Sequence, residues 1–199
     1  MMNQKADIEK DATYFNYLRK RSGLGLIYRN FLLYPVLSRM VHGRVLDFGC
    51  GIGDFLQYMK GSVGIDVNQQ LVGYCQSLGL DARLIKDGSI PYPDSSFDSV
   101  VMDNVLEHIP QADAGRVIAE IMRVLSQSGT LLIGVPGSKG YAADSDHKCF
   151  YTLQDLDVLL NSHGCRRVKT RYMPIRFPGL DKHLSQYCIY SVFKKVESA

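Results

Sequence analysis

Residues 44–56 read RVLDFGCGIGDFL, and the rest of the fold can be worked out from this segment. A short apolar run reaches Asp47, three alternate glycines follow, and apolar residues then return at helical spacing. This order predicts a strand, a tight turn and a helix. Alternate glycines allow positive φ angles and remove Cβ atoms from the path of a ligand, so we expect a small molecule to lie across the turn.

The spacing of the glycines separates the candidate ligands. A dinucleotide site has G-x-G-x-x-G and holds a pyrophosphate, whereas here Gly49, Gly51 and Gly53 alternate and the next residue is Asp54. Asp47 and Asp54 would repel a phosphate, and no G-K-[ST] follows as it would in a phosphate-binding loop. The two acids suit a ligand with a cationic end, such as the ammonium and sulfonium of S-adenosylmethionine.

A further acid, Asp66, ends the next predicted strand, residues 61–66. An acid in this position can accept hydrogen bonds from both ribose hydroxyls of a nucleoside. With the glycine turn, it predicts an adenosyl ligand at this edge of the sheet.

Five sequence blocks resemble, in order, the seven-strand (class I) S-adenosylmethionine-dependent methyltransferases of the small-molecule, ubiquinone/menaquinone-biosynthesis type. The blocks are residues 47–53, Asp66, Asp87 and Gly88 with residues 91–98 (PYPDSSFD), residues 104–108 (NVLEH), and residues 123–125 (RVL) followed by 129–133 (GTLLI). The resemblance covers about residues 44–136 and weakens towards both ends of the chain. It implies an α/β fold with a Rossmann-like seven-stranded, mostly parallel sheet, an antiparallel edge strand and helices on both faces.

The resemblance also implies S-adenosylmethionine as the cofactor. By resemblance, the Asp87 carboxylate binds the exocyclic amine of the adenine, and the Gly88 amide faces a ring nitrogen. Taken together, the expected cofactor-binding residues are Asp47, Gly49, Cys50, Gly51, Asp66, Val67, Asp87, Gly88 and Asn104.

Two histidines are the catalytic candidates, because imidazole can accept a proton near neutral pH. His108 follows Glu107 after the fourth predicted strand, and His147 lies in the loop after the fifth. Their alternatives are a structural hydrogen bond for His108 and an ordinary solvated position for His147. Asp144, Asp146 and His147 are close in sequence, but their spacing matches no calcium loop, so no metal site is predicted.

The chain is predicted to be one domain, residues 1–199, with N-terminal helices or a lid at 1–42 and the cofactor-binding core at 43–199. Two N-terminal helices are expected, with a break near residues 23–25, and their aromatic residues would either pack on the sheet or cover a substrate. An amphipathic helix that contacts a membrane surface is the third alternative. Residues 141–151 are expected to be mobile and to close over the acceptor.

Composition narrows the class of partner. The chain has 199 residues, 46% hydrophobic and 22% charged, a net charge of +3 and five cysteines. Residues 1–10 are polar and lack the apolar core expected of a signal peptide, and the sequence has no run of about 18 apolar residues, so a cytoplasmic protein without a membrane span is predicted. The expected acceptor is a small molecule: a saccharide, a lipid-linked precursor or an aromatic compound.

Several alternatives to this function stay open. They are an RNA or protein methyltransferase, a non-catalytic S-adenosylmethionine-binding protein, and a dinucleotide-binding oxidoreductase. Nucleic acid is not the expected acceptor, because the basic residues of the run at 166–171 would fall partly on opposite faces of a strand. The sequence makes no prediction of the oligomeric state.

Overall fold

The computed structural model describes residues 23–196. The first predicted N-terminal helix, with Tyr14, Phe15, Tyr17 and the basic residues 19–21, lies outside the described residues. The strands are β1 Val45–Phe48, β2 Val63–Asp66, β3 Ala82–Leu84, β4 Phe97–Asp103, β5 Leu125–Pro136, β6 Cys165–Met173 and β7 Cys188–Lys195. The α-helices are α1 Gly23–Tyr28, α2 Tyr34–Ser38, α3 Asp54–Tyr58, α4 Gln69–Ser77, α5 Gln111–Val124, α6 Ser138–Ala142 and α7 Leu153–Asn161. A π-helical turn occupies Arg29–Leu33, and 3-10 turns occupy Leu106–His108 and Leu180–Lys182.

The strands form one seven-stranded sheet in the order β3-β2-β1-β4-β5-β7-β6. Strands β1 to β5 pair in parallel, whereas β7 is antiparallel to both of its neighbours, β5 and β6. The predicted Rossmann-like, mostly parallel sheet is therefore confirmed. The antiparallel strand is β7, one position in from the edge strand β6.

Apolar side chains cover both faces of this sheet, because successive residues of a strand point to opposite sides. One core contains Leu46, Val100 and Leu131 from the strands and Ile118 and Ile121 from α5. The opposite core contains a residue adjacent in sequence from each of these strands, together with side chains from α2: Val45, Val101 and Leu132 with Tyr34 and Leu37. The strands β1, β4 and β5 are thus buried on both sides, and ligands can reach them from the ends.

Residues 23–38 are helical throughout, with a π-helical turn between α1 and α2. Gly23 and Gly25 both lie in α1, and the residues before Gly23 are outside the described part of the chain, so the expected break between two helices near residues 23–25 stays a prediction. The π-turn begins at Arg29, and such turns are often found at functional sites. Within residues 23–196, no helix has the length and apolar character needed to cross a membrane.

Candidate active site

Two cavities lie side by side where the parallel strands end. The first has a volume of about 510 Å³ and is lined by residues that follow β1, β2, β3 and β4. The second has a volume of about 420 Å³ and extends from the end of β1 to the N-terminal helices, the loop after β5 and the strand β7. Gly49, Gly51, Asn104 and His108 line both cavities. A single elongated ligand could therefore reach from the first cavity into the second.

The glycine turn after β1 forms part of the wall between the cavities. Gly49, Gly51 and Gly53 have φ angles of +77°, +56° and +79°, which disfavour residues with a Cβ atom. A Cβ atom on Gly49 would lie 2.6 Å from Cγ2 of Val105. The amides of Gly49 and Cys50 donate to the carbonyl oxygen of Ile65 in β2, at 2.8 and 3.0 Å. Sterically, only glycine fits at position 49 without displacing a neighbour.

Asp66 stands at the end of β2 and lines the first cavity. Its carboxylate accepts hydrogen bonds from the amides of Gly51 and Asn68, both at 2.9 Å, and the residue is only 7% exposed. The two bonds fix the orientation of the carboxylate. A carboxylate oxygen can accept more than one hydrogen bond, so the group can still receive ligand hydroxyls. The next residue, Val67, lines the same cavity although it is 75% exposed, as a surface for a flat apolar ring would be.

Asp87 and Gly88, both predicted site residues, lie in the same turn, but only one of them lines a cavity. Both residues have positive φ angles, +55° and +71°, in a tight turn closed by a bridge between Lys86 and Ser89. Gly88 lines the first cavity, whereas Asp87 is exposed and is not among the lining residues of either cavity. The role assigned to Asp87 stays a prediction.

The second cavity is acidic on the side next to the glycine turn. Asp47, Asp54 and Asp103 all line it. Burial raises the pKa of Asp47 well above its usual value, and the nearby carboxylates of Asp103 and Asp66 raise it further. A cation bound here would offset this repulsion, so the donor set suits the ammonium and sulfonium charges of S-adenosylmethionine.

Asp103 is the centre of a hydrogen-bond network that the sequence prediction missed. Its Oδ1 accepts from the Tyr190 hydroxyl at 2.7 Å and from Nδ2 of Asn104 at 2.8 Å. Arg29 Nη1 lies 3.9 Å from Oδ2 of the same carboxylate. Arg29 and Asp103 both line the second cavity. The feature of the sequence that could have indicated this network was Arg29, a charged residue in an apolar helical segment.

The two candidate catalytic histidines come together in the second cavity. The His108 and His147 rings are 4.6 Å apart between centroids, in an edge-to-face arrangement. Glu107 lies beside His147, with its Oε1 3.9 Å from Nε2 of that ring. Burial raises the pKa of Glu107 to about 8, whereas burial and the neighbouring His147 lower the pKa of His108. The group therefore combines a buried carboxyl with two imidazoles.

Residues 141–151 carry His147 across the second cavity. The amides of Lys148 and Cys149 donate to the Glu107 carbonyl oxygen at 2.7 and 3.1 Å. The Tyr141 ring stacks on the His147 ring, with a centroid distance of 5.3 Å and an interplanar angle of 18°. The mobility expected of this segment stays a prediction. Its C-terminal half is hydrogen-bonded to the turn that contains Glu107.

Comparison with known proteins agrees with this fold. Residues 46–133 match the family model described as a methyltransferase domain. The described fold also matches a SAM-dependent methyltransferase of Thermotoga maritima, with a TM-score of 0.71, 17% identity, and coverage of 92% of this chain and 98% of that one.

Two curated relatives match this chain at higher identity. The human protein named "Probable tRNA methyltransferase 9B" is 31% identical over 64% of this chain and 27% of its own length. The 27-O-demethylrifamycin SV methyltransferase of Amycolatopsis mediterranei is 32% identical over 52% of this chain and 43% of its own length. The chain thus spans less than half of the length of these relatives.

Proposed function

We infer that this chain, which has the fold of the class I S-adenosylmethionine-dependent methyltransferases and carries a methyltransferase-domain signature, transfers a methyl group from that donor to an acceptor. The observation that carries the inference is the junction of the two cavities at Gly49 and Asn104. A donor that lies across this junction would have its adenosyl part in one cavity and its reactive methyl group facing the other.

In the first cavity we assign the adenosyl part of the donor to the ends of β2 and β3. Asp66 would accept hydrogen bonds from the ribose hydroxyls, because its carboxylate is already oriented by two backbone amides. Val67 and Gly88 would contact the adenine. The glycine turn, with Gly49 and Gly51, allows the close approach of the ligand to the backbone.

In the second cavity we assign the methionine part to the acidic side. Asp47 would face the cationic groups of the donor. The Arg29 guanidinium would compensate the charge of the carboxylate in its methionine part. When bound, the donor supplies an activated methyl group on a good leaving group, so the protein mainly has to align the acceptor and exclude water.

The acceptor would occupy the rest of the second cavity, between the N-terminal helices and residues 141–151. The hydroxyl of Tyr28 is buried there without a hydrogen-bond partner among the described residues, as expected of a group that awaits a ligand. His147 and His108 would face the acceptor, and either could take a proton from it if it is a hydroxyl. A cavity of about 420 Å³ suits a small-molecule acceptor.

RNA is the second candidate acceptor, and one structural observation favours it. A register shift in β6 between Arg167 and Lys169 changes the alternation of the strand. Arg166, Lys169 and Arg171 pair with alternate residues of β7 and therefore share a face, whereas Arg167 pairs with Phe193 and lies on the opposite face. The human relative is named as a tRNA methyltransferase. These exposed cations could bind phosphates.

Two measurements test the proposed function. Calorimetric titration with S-adenosylhomocysteine is expected to show one site per chain, whereas NADH is expected to show none. Binding of NADH with no binding of S-adenosylhomocysteine would overturn the assignment. Cell extract incubated with the protein and methyl-labelled donor, with and without ribonuclease, then separates the acceptors: label in a small-molecule fraction supports the first candidate, and ribonuclease-sensitive label in large RNA supports the second.

A further inference from the structure

Three neighbouring side chains of the second cavity have the chemistry of metal ligands. Glu107, His108 and His147 can each offer one ligand atom, and these atoms all lie within 4.8 Å of one another. Glu107 and His108 are adjacent in the 3-10 turn after β4, whereas His147 belongs to the segment between α6 and α7. The cluster thus forms only when the chain folds, and all three residues line the cavity.

The carboxyl group of Glu107 is buried and, within the described residues, accepts no hydrogen bond. The residue is 1% exposed, and neither carboxyl oxygen has a hydrogen-bond partner among the described residues. A buried carboxyl without partners costs folding free energy, so such a group needs an explanation. A cation between Oε1 and the His147 imidazole, 3.9 Å away, would supply the missing partner.

The His147 ring is oriented as a ligand would be. Its Nδ1 lies 2.8 Å from the carbonyl oxygen of Tyr141, and a carbonyl can only accept, so Nδ1 carries the proton. The lone pair of the neutral ring is therefore on Nε2, the nitrogen that faces Glu107. Metal-binding histidines usually have their other ring nitrogen fixed by such a bond. Asp144 Oδ2 lies 4.0 Å from the same Nε2 and offers a further oxygen.

We propose that Glu107, His108 and His147 bind a divalent first-row transition-metal ion, such as Zn²⁺ or Mn²⁺, at the wall of the second cavity. Two imidazoles and one carboxylate suit such ions, whereas Ca²⁺ and Mg²⁺ prefer all-oxygen sites. Bonds of about 2.0–2.2 Å require the ligand atoms to approach one another by roughly 1 Å. Three protein ligands leave coordination positions open, and here these positions would face the acceptor.

The sequence pointed away from this site for a clear reason. The acids near His147 in sequence, Asp144 and Asp146, match no metal-binding spacing, whereas the residues that the structure brings beside it come from the end of β4. The inference goes beyond the proposed methyl transfer and also restricts it. An imidazole whose Nε2 binds an ion cannot accept a proton there, so His147 could not act as a base while the metal site is occupied.

The test uses the full chain, first freed of metal with a chelator that is then dialysed away. Titration with Co²⁺, followed by visible absorption and equilibrium dialysis, is expected to give one ion per chain, displaced by Zn²⁺. Glu107→Gln and His147→Gln are expected to weaken binding by at least about tenfold. His163→Gln, at the end of α7 and outside the cluster, is the matched control and is expected to bind as the wild type does.

Absence of Co²⁺ and Zn²⁺ binding in the wild-type protein would overturn the inference, and so would equal binding by the wild type and both ligand variants. Calorimetry with S-adenosylhomocysteine on the same samples reports whether each variant is folded. Retained S-adenosylhomocysteine binding without metal uptake would reject the metal site and leave the proposed function in place. Metal uptake without S-adenosylhomocysteine binding would reject the proposed function alone.

Discussion

The first and second cavities differ in how the chain builds them. Most of the lining of the first cavity comes from residues 48–120, which follow successive parallel strands. The lining of the second runs from Gly25 in α1 to Tyr190 in β7, so it joins segments from nearly the whole described chain. A site made of strand ends can be recognised in short sequence blocks, whereas a site made of distant segments requires the fold. On our assignment the adenosyl part of the donor occupies the first kind of site, whereas the acceptor and the methionine part of the donor occupy the second.

The largest expected effect is on turnover and belongs to the second cavity. His147→Ala is expected to lower turnover by about 10²–10⁴-fold, whether His147 acts as a base or as a metal ligand. The affinity for S-adenosylhomocysteine is expected to change by less than a few-fold, since the adenosyl part is assigned to the first cavity, which His147 does not line, and the methionine part to the acidic side of the second. Labelled methyl transfer to the identified acceptor fraction measures the first effect, and calorimetry measures the second. His163→Ala is the control, and a loss of turnover no larger than in this control would contradict the role of His147.

The reverse pattern is expected in the first cavity. Asp66→Ala removes the acceptor for the ribose hydroxyls and is expected to cost about 1–3 kcal/mol of donor binding, a loss of roughly 5–150-fold in affinity. Asp81→Ala is the matched control, because Asp81 is an exposed acid with a loose partner, Arg83, at 3.8 Å. Calorimetry on the two variants checks the expectation. Unchanged affinity of Asp66→Ala for S-adenosylhomocysteine would contradict the assignment of the adenosyl part to this cavity.

A substitution in the glycine turn that separates the two cavities is expected to affect both of them. Gly49→Ala would place a Cβ atom 2.6 Å from Val105 at a φ of +77°. We expect a loss of about 1–3 kcal/mol in the free energy of unfolding, with weaker S-adenosylhomocysteine binding. Gly73→Ala, in α4 with no atom within 4 Å of its added Cβ, is the control. It is expected to stabilise the protein by about 0.5–1 kcal/mol. Urea denaturation of both variants measures the difference, and equal stabilities would show that the turn tolerates a side chain.

Much of the fold was accessible from the sequence because its signals are local. The apolar run before Asp47, the glycines and the buried pattern of β4 each predict an element without reference to distant residues. The start of β5 at Leu125 is not evident from the sequence, since the polar residues between α5 and the apolar run resemble a loop. The bulge in β6 was also missed, because a register shift depends on the partner strand.

The site divides in the same way. Asp66 and Gly49 were predicted because an acid at a strand end and a glycine in a turn have a meaning by themselves. The contact of Arg29 with Asp103 and of Glu107 with His147 could not be predicted, since each joins residues far apart in the chain. Asp87 shows the limit of a local signal. Its position after a strand suggested a ligand contact, but the residue is exposed because of a turn geometry that the sequence alone does not fix.

The smallest expected effect concerns the dynamics of residues 141–151, which contribute Asp144 and His147 to the second cavity and Asp146 and Lys148 to the first. In the free protein, the amides of Lys148 and Cys149 are expected to exchange more slowly than those of residues 142–146, because both donate to the Glu107 carbonyl. Adding S-adenosylhomocysteine is expected to slow exchange across the segment by a few-fold, while the amides of α7 serve as the internal control. Hydrogen exchange measured by mass spectrometry resolves these peptides. If the whole segment is strongly protected without ligand, it is a fixed wall, and acceptors would have to enter past the N-terminal helices.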